Sequence, residues 1–339
     1  MKRIVACCVL AGVLALGPGI GISRAARPKI GLSLPTQREE RWVRDKQAME
    51  AEAARLGIDL RVQVTDNDAS RQVAQCENLI AQGVTVLILA PHDASSASVI
   101  VDKAVRAGIK VISYDRLVMD SPRDYYYVSF DNVKVGELQG AFLTRRVPKG
   151  SIVVLSGSPT DNNAKLFREG AMKFIAPLAK KGDLKIVMDQ PIKDWQPAEA
   201  QRLMEQALTA NGNRVDGVLA PNDGTAGGVI QALAAQHLAG KVPVTGQDAE
   251  LAAAIRVVHG TQSMTVFKDT RLLARRAIQM ALALQQGKPV DTGGQTVSNN
   301  KHAIPSVLIA PMVVTRENLD QVLIASGYLR RDQVYRAKP

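Results

Sequence analysis

The sequence predicts an α/β protein built as two doubly wound lobes, and three observations carry that prediction. Short β-branched runs alternate with longer segments of helical period. The runs are almost continuously apolar, as expected of parallel strands covered by helices on both faces. The alternation occurs twice, and no Gly/Ser/Pro-rich linker separates the two sets. Halves without a linker are expected to be joined by several short crossings.

In the first half the runs are KIGLSL (29–34), LRVQVT (60–65), VTVLILA (84–90), KVISYD (110–115) and YYVSF (126–130). A helical segment from Arg38 to Leu56 stops at Gly57, and another stops at Gly108. A strand follows each directly, the pattern of a glycine just past a helix C-terminus. In the second half SIVVLSG, LKIVMDQ, VDGVLAPN, PVTGQD and SMTVF read as strands, with helices over 164–178 and 197–210 between them. TRLLARRAIQMALALQQG reads as a long helix and VLIAPMVV as a late strand. Either fits a return to the first lobe or an extension of the second.

The N-terminus reads as a secretory signal. Lys2 and Arg3 precede an apolar core of 13 residues, Ile4 to Leu16, and small residues at Arg24 to Ala26 offer cleavage sites. The run is short, and too Gly-rich after Leu16, for a comfortable transmembrane helix, so residues 1–26 are expected to be removed and the mature protein to be periplasmic, with an uncleaved anchor as the alternative. Cys7 and Cys8 lie in that segment, which leaves Cys76 alone and rules out an intramolecular disulfide. The net charge is +11, falling to about +8 without Lys2, Arg3 and Arg24. The basic residues are scattered among acids, and no helix-turn-helix or zinc-finger spacing exists, so nucleic acid is not the expected partner.

Ligands of open α/β sheets gather at the carboxyl ends of the strands. In this chain those ends carry Arg41 and Trp42, Asp115 and Arg116, Asp161 to Asn163, Trp195, Asn222, Asp248 and Lys268. Carboxylates accept from hydroxyls, Arg and Lys donate, and Asn does both. Aromatics are only 4% of the chain, with two tryptophans, one in each half. Polar groups around a rim with an aromatic on either side form a monosaccharide site. Trp42 and Trp195 would be its jaws. The structural alternative is that Trp42 staples a helix to its sheet and that Asp115, Asp161 and Asp223 serve as turn or cap residues.

Other chemistries lack their motifs. No GxGxxG follows the first strand, GSPTDNN has no GK[ST] ending, and GSPT is not a GxSxG elbow. The four histidines show no metal spacing, and Arg71 stands where a calcium loop seeded at Asp66 would need glycine. No cofactor is expected. A transcriptional regulator would need a DNA-binding segment where the first strand already begins at Lys29. An exported sugar-acting enzyme would have to use Asp115 with Asp248 as an acid/base pair.

From about Pro28 onward the chain resembles the periplasmic D-xylose-binding branch of the type I, ribose-type substrate-binding proteins of ABC sugar importers. The stretches that carry the resemblance are ERW (40–42), SYDR (113–116), SFDNVKVGELQ (129–139), GSPTDNNAKLFREG (157–170), NDGTAGGVIQAL (222–233), GQDAEL (246–251) and GTQSMTVFK (260–268). It implies two Rossmann-like lobes joined by three hinge crossings, near Phe130, Val266 and Pro305. The N-terminal lobe would be 27–130 plus 267–304 and the C-terminal lobe 131–266 plus 305–339. Matching positions imply that Arg41, Asp115, Arg116, Asn163, Asn222, Asp248 and Lys268 hydrogen-bond a sugar and that Trp42 and Trp195 stack on it, with Asp161 and Arg168 as lesser candidates. The implied protein is a monomeric receptor that closes on D-xylose and delivers it to the ABC permease, with a chemoreceptor as a further partner. Pro35–Thr36 replaces acidic residues common in relatives, which leaves glucose or another aldopyranose as the alternative ligand.

Overall fold

The computed structural model describes residues 27–336, so the expected signal sequence lies outside the described residues. The first lobe runs β1 (Lys29–Leu34), α1 (Glu40–Arg55), β2 (Asp59–Val64), α2 (Ala69–Ala81), β3 (Val86–Leu89), α3 (Ser98–Arg106), β4 (Lys110–Tyr114) and β5 (Tyr126–Phe130). The chain then enters the second lobe with α4 (Asn132–Arg146), β6 (Gly150–Ser156), α5 (Asn162–Lys181), β7 (Leu184–Pro191), α6 (Pro197–Ala210), β8 (Gly217–Leu219), α7 (Asp223–Ala235), α8 (Leu251–His259) and β9 (Thr265–Phe267). It returns to the first lobe with α9 (Thr270–Gln285), β10 (Thr296–Ser298) and β11 (Ala303–Ile309), and ends in the second with β12 (Met312–Val314) and α10 (Arg331–Arg336).

The first sheet has seven strands in the order β10-β11-β5-β4-β3-β1-β2. All pairs from β11 to β2 are parallel, and only the edge pair β10–β11 is antiparallel. Its strands are buried because α1 and α9 cover one face and α2 and α3 the other. Ile30, Leu32, Ile88 and Val128 pack with Met49, Leu273 and Ile278 on one side. Leu87, Leu89 and Val111 pack with Leu79 and Ile100 on the other. The second sheet orders β7-β6-β8, all parallel, and β9 pairs antiparallel with β12. Single parallel bridges, Val218 with Val244 and Gln247 with Val266, link these two pieces.

PVTGQD therefore makes two bridges and not a full strand. The left-handed backbone at Asp248 and Ala249, φ 98° and 53°, turns the chain out of the sheet immediately afterwards. VLIAPMVV divides between the lobes. Its first part pairs with β5 as far as Ile309↔Phe130, and its second part, Met312–Val314, pairs with β9. The third crossing thus falls at Ala310–Pro311, not near Pro305, because residues 306–309 still belong to the first sheet. Proline has no N–H for a ladder, which suits it to that break. The other crossings lie at Asp131 and at Lys268–Asp269, between the strands and helices that flank them. Asp131 N donates to Ile309 O at 3.0 Å, so the first and third crossings run side by side.

Glycines set the spacing of α4 against α5. A Cβ on Gly136 would lie 1.9 Å from Phe167 O, and one on Gly170 2.0 Å from Val133 O. Only glycine allows the two helix backbones to touch there, and this contact fixes α5, whose N-terminus carries Asn163 and Phe167. Among the described residues no helix is long and apolar enough to cross a membrane.

Candidate functional site

The carboxyl ends of both sheets face each other across the cleft between the lobes. A small cavity lies there, walled by polar side chains and aromatic rings. The structure brings all nine sequence-predicted residues to its wall. Arg41, Trp42, Asp115 and Arg116 come from the first lobe, Asn163, Trp195, Asn222 and Asp248 from the second, and Lys268 from the second crossing. Asp161 is also on the wall. Arg168 is not: its Nε donates to Asp189 Oδ1 at 3.3 Å, outside the cavity. Three wall residues were not anticipated, Glu39, Phe167 and Gln247.

Arg41 is the centre of the charge arrangement. Its Nη1 donates to Asp115 Oδ1 at 2.7 Å, while Nε and Nη2 both reach Asp45 Oδ2, at 3.1 and 2.7 Å. Tyr114 donates its hydroxyl to the other Asp45 oxygen. Asp45 is wholly buried, and burial pushes its carboxyl up to about 6 although Arg41 pulls it down. Burial also raises Asp115, but Arg41 and Lys268 outweigh it and hold that carboxyl below its ordinary value. Across the cleft, Asp248 Oδ1 lies 3.2 Å from Lys268 Nζ and 3.8 Å from Arg41 Nη1.

Several interactions cross from lobe to lobe. Arg116 Nε pairs with Asp161 Oδ2 at 2.8 Å, and Asn163 Nδ2 donates to the Asp115 carbonyl at 3.0 Å. Leu251 N donates to Glu40 Oε2 at 2.8 Å, and Ala94 N to Thr160 O at 2.9 Å. The lobes are closed on the cavity, and the wall residues are buried.

The aromatic components are held as firmly. Trp42 is buried, with the Arg41 and Arg116 guanidiniums 4.4 and 5.2 Å from its ring centre. The arginines around this tryptophan thus serve a cation–π stack as well as the polar wall. Trp195 donates Nε1–H to Asp161 Oδ2 at 3.2 Å and meets Phe167 edge-on, centroids 6.3 Å apart.

Strained backbone occurs at the cavity wall and beside it. Asp115, Asp194, Trp195, Asp248 and Ala249 all have positive φ without being glycine, conformations that persist where the surroundings over-determine them. Asp115 illustrates how: Tyr127 Oη, Ser129 Oγ and Asn163 Nδ2 all donate to its carbonyl, at 2.9, 2.7 and 3.0 Å.

The cap alternative also describes part of the site. Asp161 caps α5 by accepting from Asn163 N at 2.9 Å, and Asn222 caps α7 by accepting from Thr225 N at 3.0 Å. Both side chains do this while lining the cavity, so capping and cavity roles coexist. The Asn222 oxygen is occupied, which leaves its amide NH₂ for a ligand. Asp223 is different. It accepts from Gln262, Thr265 and Glu250 N behind the wall, and burial raises its carboxyl to about 7. Among the described residues no cluster of His, Cys, Asp and Glu is placed to hold a metal.

Gly157 makes room for Trp195: a Cβ there would lie 2.0 Å from the indole Cη2. Gly157→Ala is expected to displace Trp195, weaken ligand binding at least tenfold and cost about 1–3 kcal/mol of stability. Calorimetry and a thermal melt check this, and unchanged affinity would remove Trp195 from the binding wall.

Two α/β lobes, three crossings and a polar cavity at the facing strand ends define a class of protein. The chain belongs to the periplasmic binding protein family, whose domain profile matches residues 30–289. It is 43% identical over 314 residues to the D-xylose-binding periplasmic protein of Escherichia coli strain K12, covering 92% of this chain and 94% of that one. Identity to the protein of the same name from Haemophilus influenzae is 42% over 307 residues, covering 91% and 92%. A carbohydrate transporter solute binding protein from Chloroflexus aurantiacus, solved in complex with D-glucose, superposes with a TM-score of 0.85 at 34% identity, covering 90% of this chain and 97% of that one.

Proposed function

We propose that this protein is an exported receptor that captures D-xylose between its lobes and delivers it to an ABC permease. One observation carries the reading. The cavity wall combines carboxylates, guanidiniums, an ammonium and amides from both lobes with two tryptophans, which suits a ligand rich in hydroxyls with apolar ring faces. Two relatives that cover most of the chain are D-xylose-binding proteins. The receptor works as a monomer without a cofactor. Binding shifts a hinge equilibrium towards the closed form, which a permease, and in some settings a chemoreceptor, would read. It is a binding protein and not an enzyme.

D-glucose is the second reading, favoured by two solved relatives that hold it. They are 33% and 34% identical, against 42% and 43% for the D-xylose-binding proteins, and D-xylose is preferred on that difference. Titration calorimetry of residues 27–339 with D-xylose, D-glucose, L-arabinose and D-ribose tests the assignment, with tryptophan fluorescence as a second readout. D-xylose is expected to bind with micromolar affinity or better, about −8 kcal/mol. Tighter D-glucose binding would keep the mechanism and change the ligand, and no binding of any pentose or hexose would overturn the reading.

A further inference from the structure

Glu39 stands immediately before α1, at the position where a side chain ordinarily accepts from the first free amides of the helix. It makes no such bond. The residue instead forms part of the cavity wall and is more than nine-tenths buried. One oxygen, Oε1, accepts from Arg38 Nη2 at 2.8 Å. The other, Oε2, is buried and has no hydrogen-bond partner. A buried acceptor left without a donor carries a penalty that native structures avoid.

The same nitrogen of Arg38 also donates to the carbonyl of Asp194, in the turn of the second lobe that carries Trp195. Arg38 therefore fixes Glu39 and ties it to the opposite lobe. From that lobe two further wall residues carry buried and unpartnered oxygens, Gln247 Oε1 and Asp248 Oδ1. All three unpartnered groups are acceptors, so the ligand has to supply donors.

We propose that Glu39 is a further ligand-contacting residue of this receptor. It accepts a hydrogen bond from one sugar hydroxyl and selects neutral ligands that present a donor at that position. The proposal rests on the sugar-receptor reading and deepens it. Glu39 sits among Arg38, Glu40 and Arg41, and the Arg38 bridge to the second lobe holds its carboxylate in place. A sugar deoxygenated at the facing carbon would leave Oε2 buried and unpaired, and a ligand carboxylate there would be repelled.

The test is calorimetric titration of wild type, Glu39→Gln and Glu39→Leu with D-xylose and its four monodeoxy derivatives. Glu39→Leu is expected to bind D-xylose roughly ten- to a hundredfold more weakly. Glu39→Gln, which keeps an acceptor oxygen and controls for the lost ion pair, should fall nearer to wild type. For one monodeoxy sugar the difference between wild type and Glu39→Leu should vanish, while it persists for the other three, as a double-mutant cycle requires of a direct contact. Glu39→Leu binding within twofold of wild type, or an equal loss with all four derivatives, would overturn the proposal. Failure of the wild type to bind any sugar would instead overturn the receptor reading.

Discussion

Arg41→Ala is expected to abolish measurable D-xylose binding and to cost the fold about 3–5 kcal/mol. Arg41 is the cation between two buried carboxylates, bonded to Asp45 through Nε and Nη2 and to Asp115 through Nη1. Its removal leaves Asp45 facing only the Tyr114 hydroxyl in a fully buried place, and leaves Asp115 with Lys268 at 3.7 Å. Breaking a buried pair from one side exposes the remaining charge to the whole desolvation penalty. The loss should depend on pH. Burial already raises Asp45 to about 6 against the ordinary 3.8 of the unfolded chain, and Arg41 is the main influence holding it down. A carboxyl raised in the folded state binds more protons there than when unfolded, so its contribution falls as pH rises through the window between the two values. Without Arg41 that window extends upward, and the variant should be distinctly more stable at pH 5 than at pH 8. Urea unfolding at both pH values measures this, and a midpoint near wild type at pH 8 would show that Arg41 does not hold the two carboxylates. Arg41→Lys should restore little, because an ammonium lacks the planar fork that reaches Asp45 and Asp115 together.

The strand ends were legible because doubly wound parallel strands are continuous apolar runs, and the residue that follows each run is easily found. That is why Asp115, Asn222 and Lys268 could be placed from sequence. Apolar character alone misjudged VLIAPMVV, where no polar residue marks the passage between lobes and only Pro311 interrupts the run. PVTGQD reads as a strand by composition, but its end is governed by positive φ at Asp248 and Ala249, which composition does not encode. Glu39 was missed because a glutamate between Arg38 and Glu40 reads as a solvated helix start. The missing cap bond and the buried Oε2 exist only in three dimensions. Phe167 was missed because its helical spacing is that of a core residue, and it does pack with Val135 and Val266.

Asp248→Ala is expected to weaken D-xylose binding about tenfold to a hundredfold while costing the fold less than Arg41→Ala does, because the buried cations beside it keep a second carboxylate. The two residues face each other across the cleft, yet they differ in what depends on them. Asp248 Oδ1 is buried and accepts no hydrogen bond, although Lys268 Nζ is 3.2 Å away. It is an acceptor whose bonding is incomplete within the protein, and a sugar hydroxyl would complete it with a charge-assisted bond. Its loss strands no cation, since both Arg41 and Lys268 keep Asp115 within reach, at 2.7 and 3.7 Å. The backbone that holds Asp248 is fixed independently of its side chain, with its N–H on Val266 O at 2.8 Å and Ala249 N on Thr265 Oγ1 at 3.2 Å. Calorimetry and urea unfolding on the same preparation separate the two effects. A large stability loss with binding intact would make Asp248 a structural counter-ion for Lys268 and move the sugar-accepting role elsewhere on the wall. A binding loss alone would place it among the groups that spend their hydrogen bonds on the ligand, and would explain why the chain holds an aspartate at a φ of 98° that its fold alone does not require.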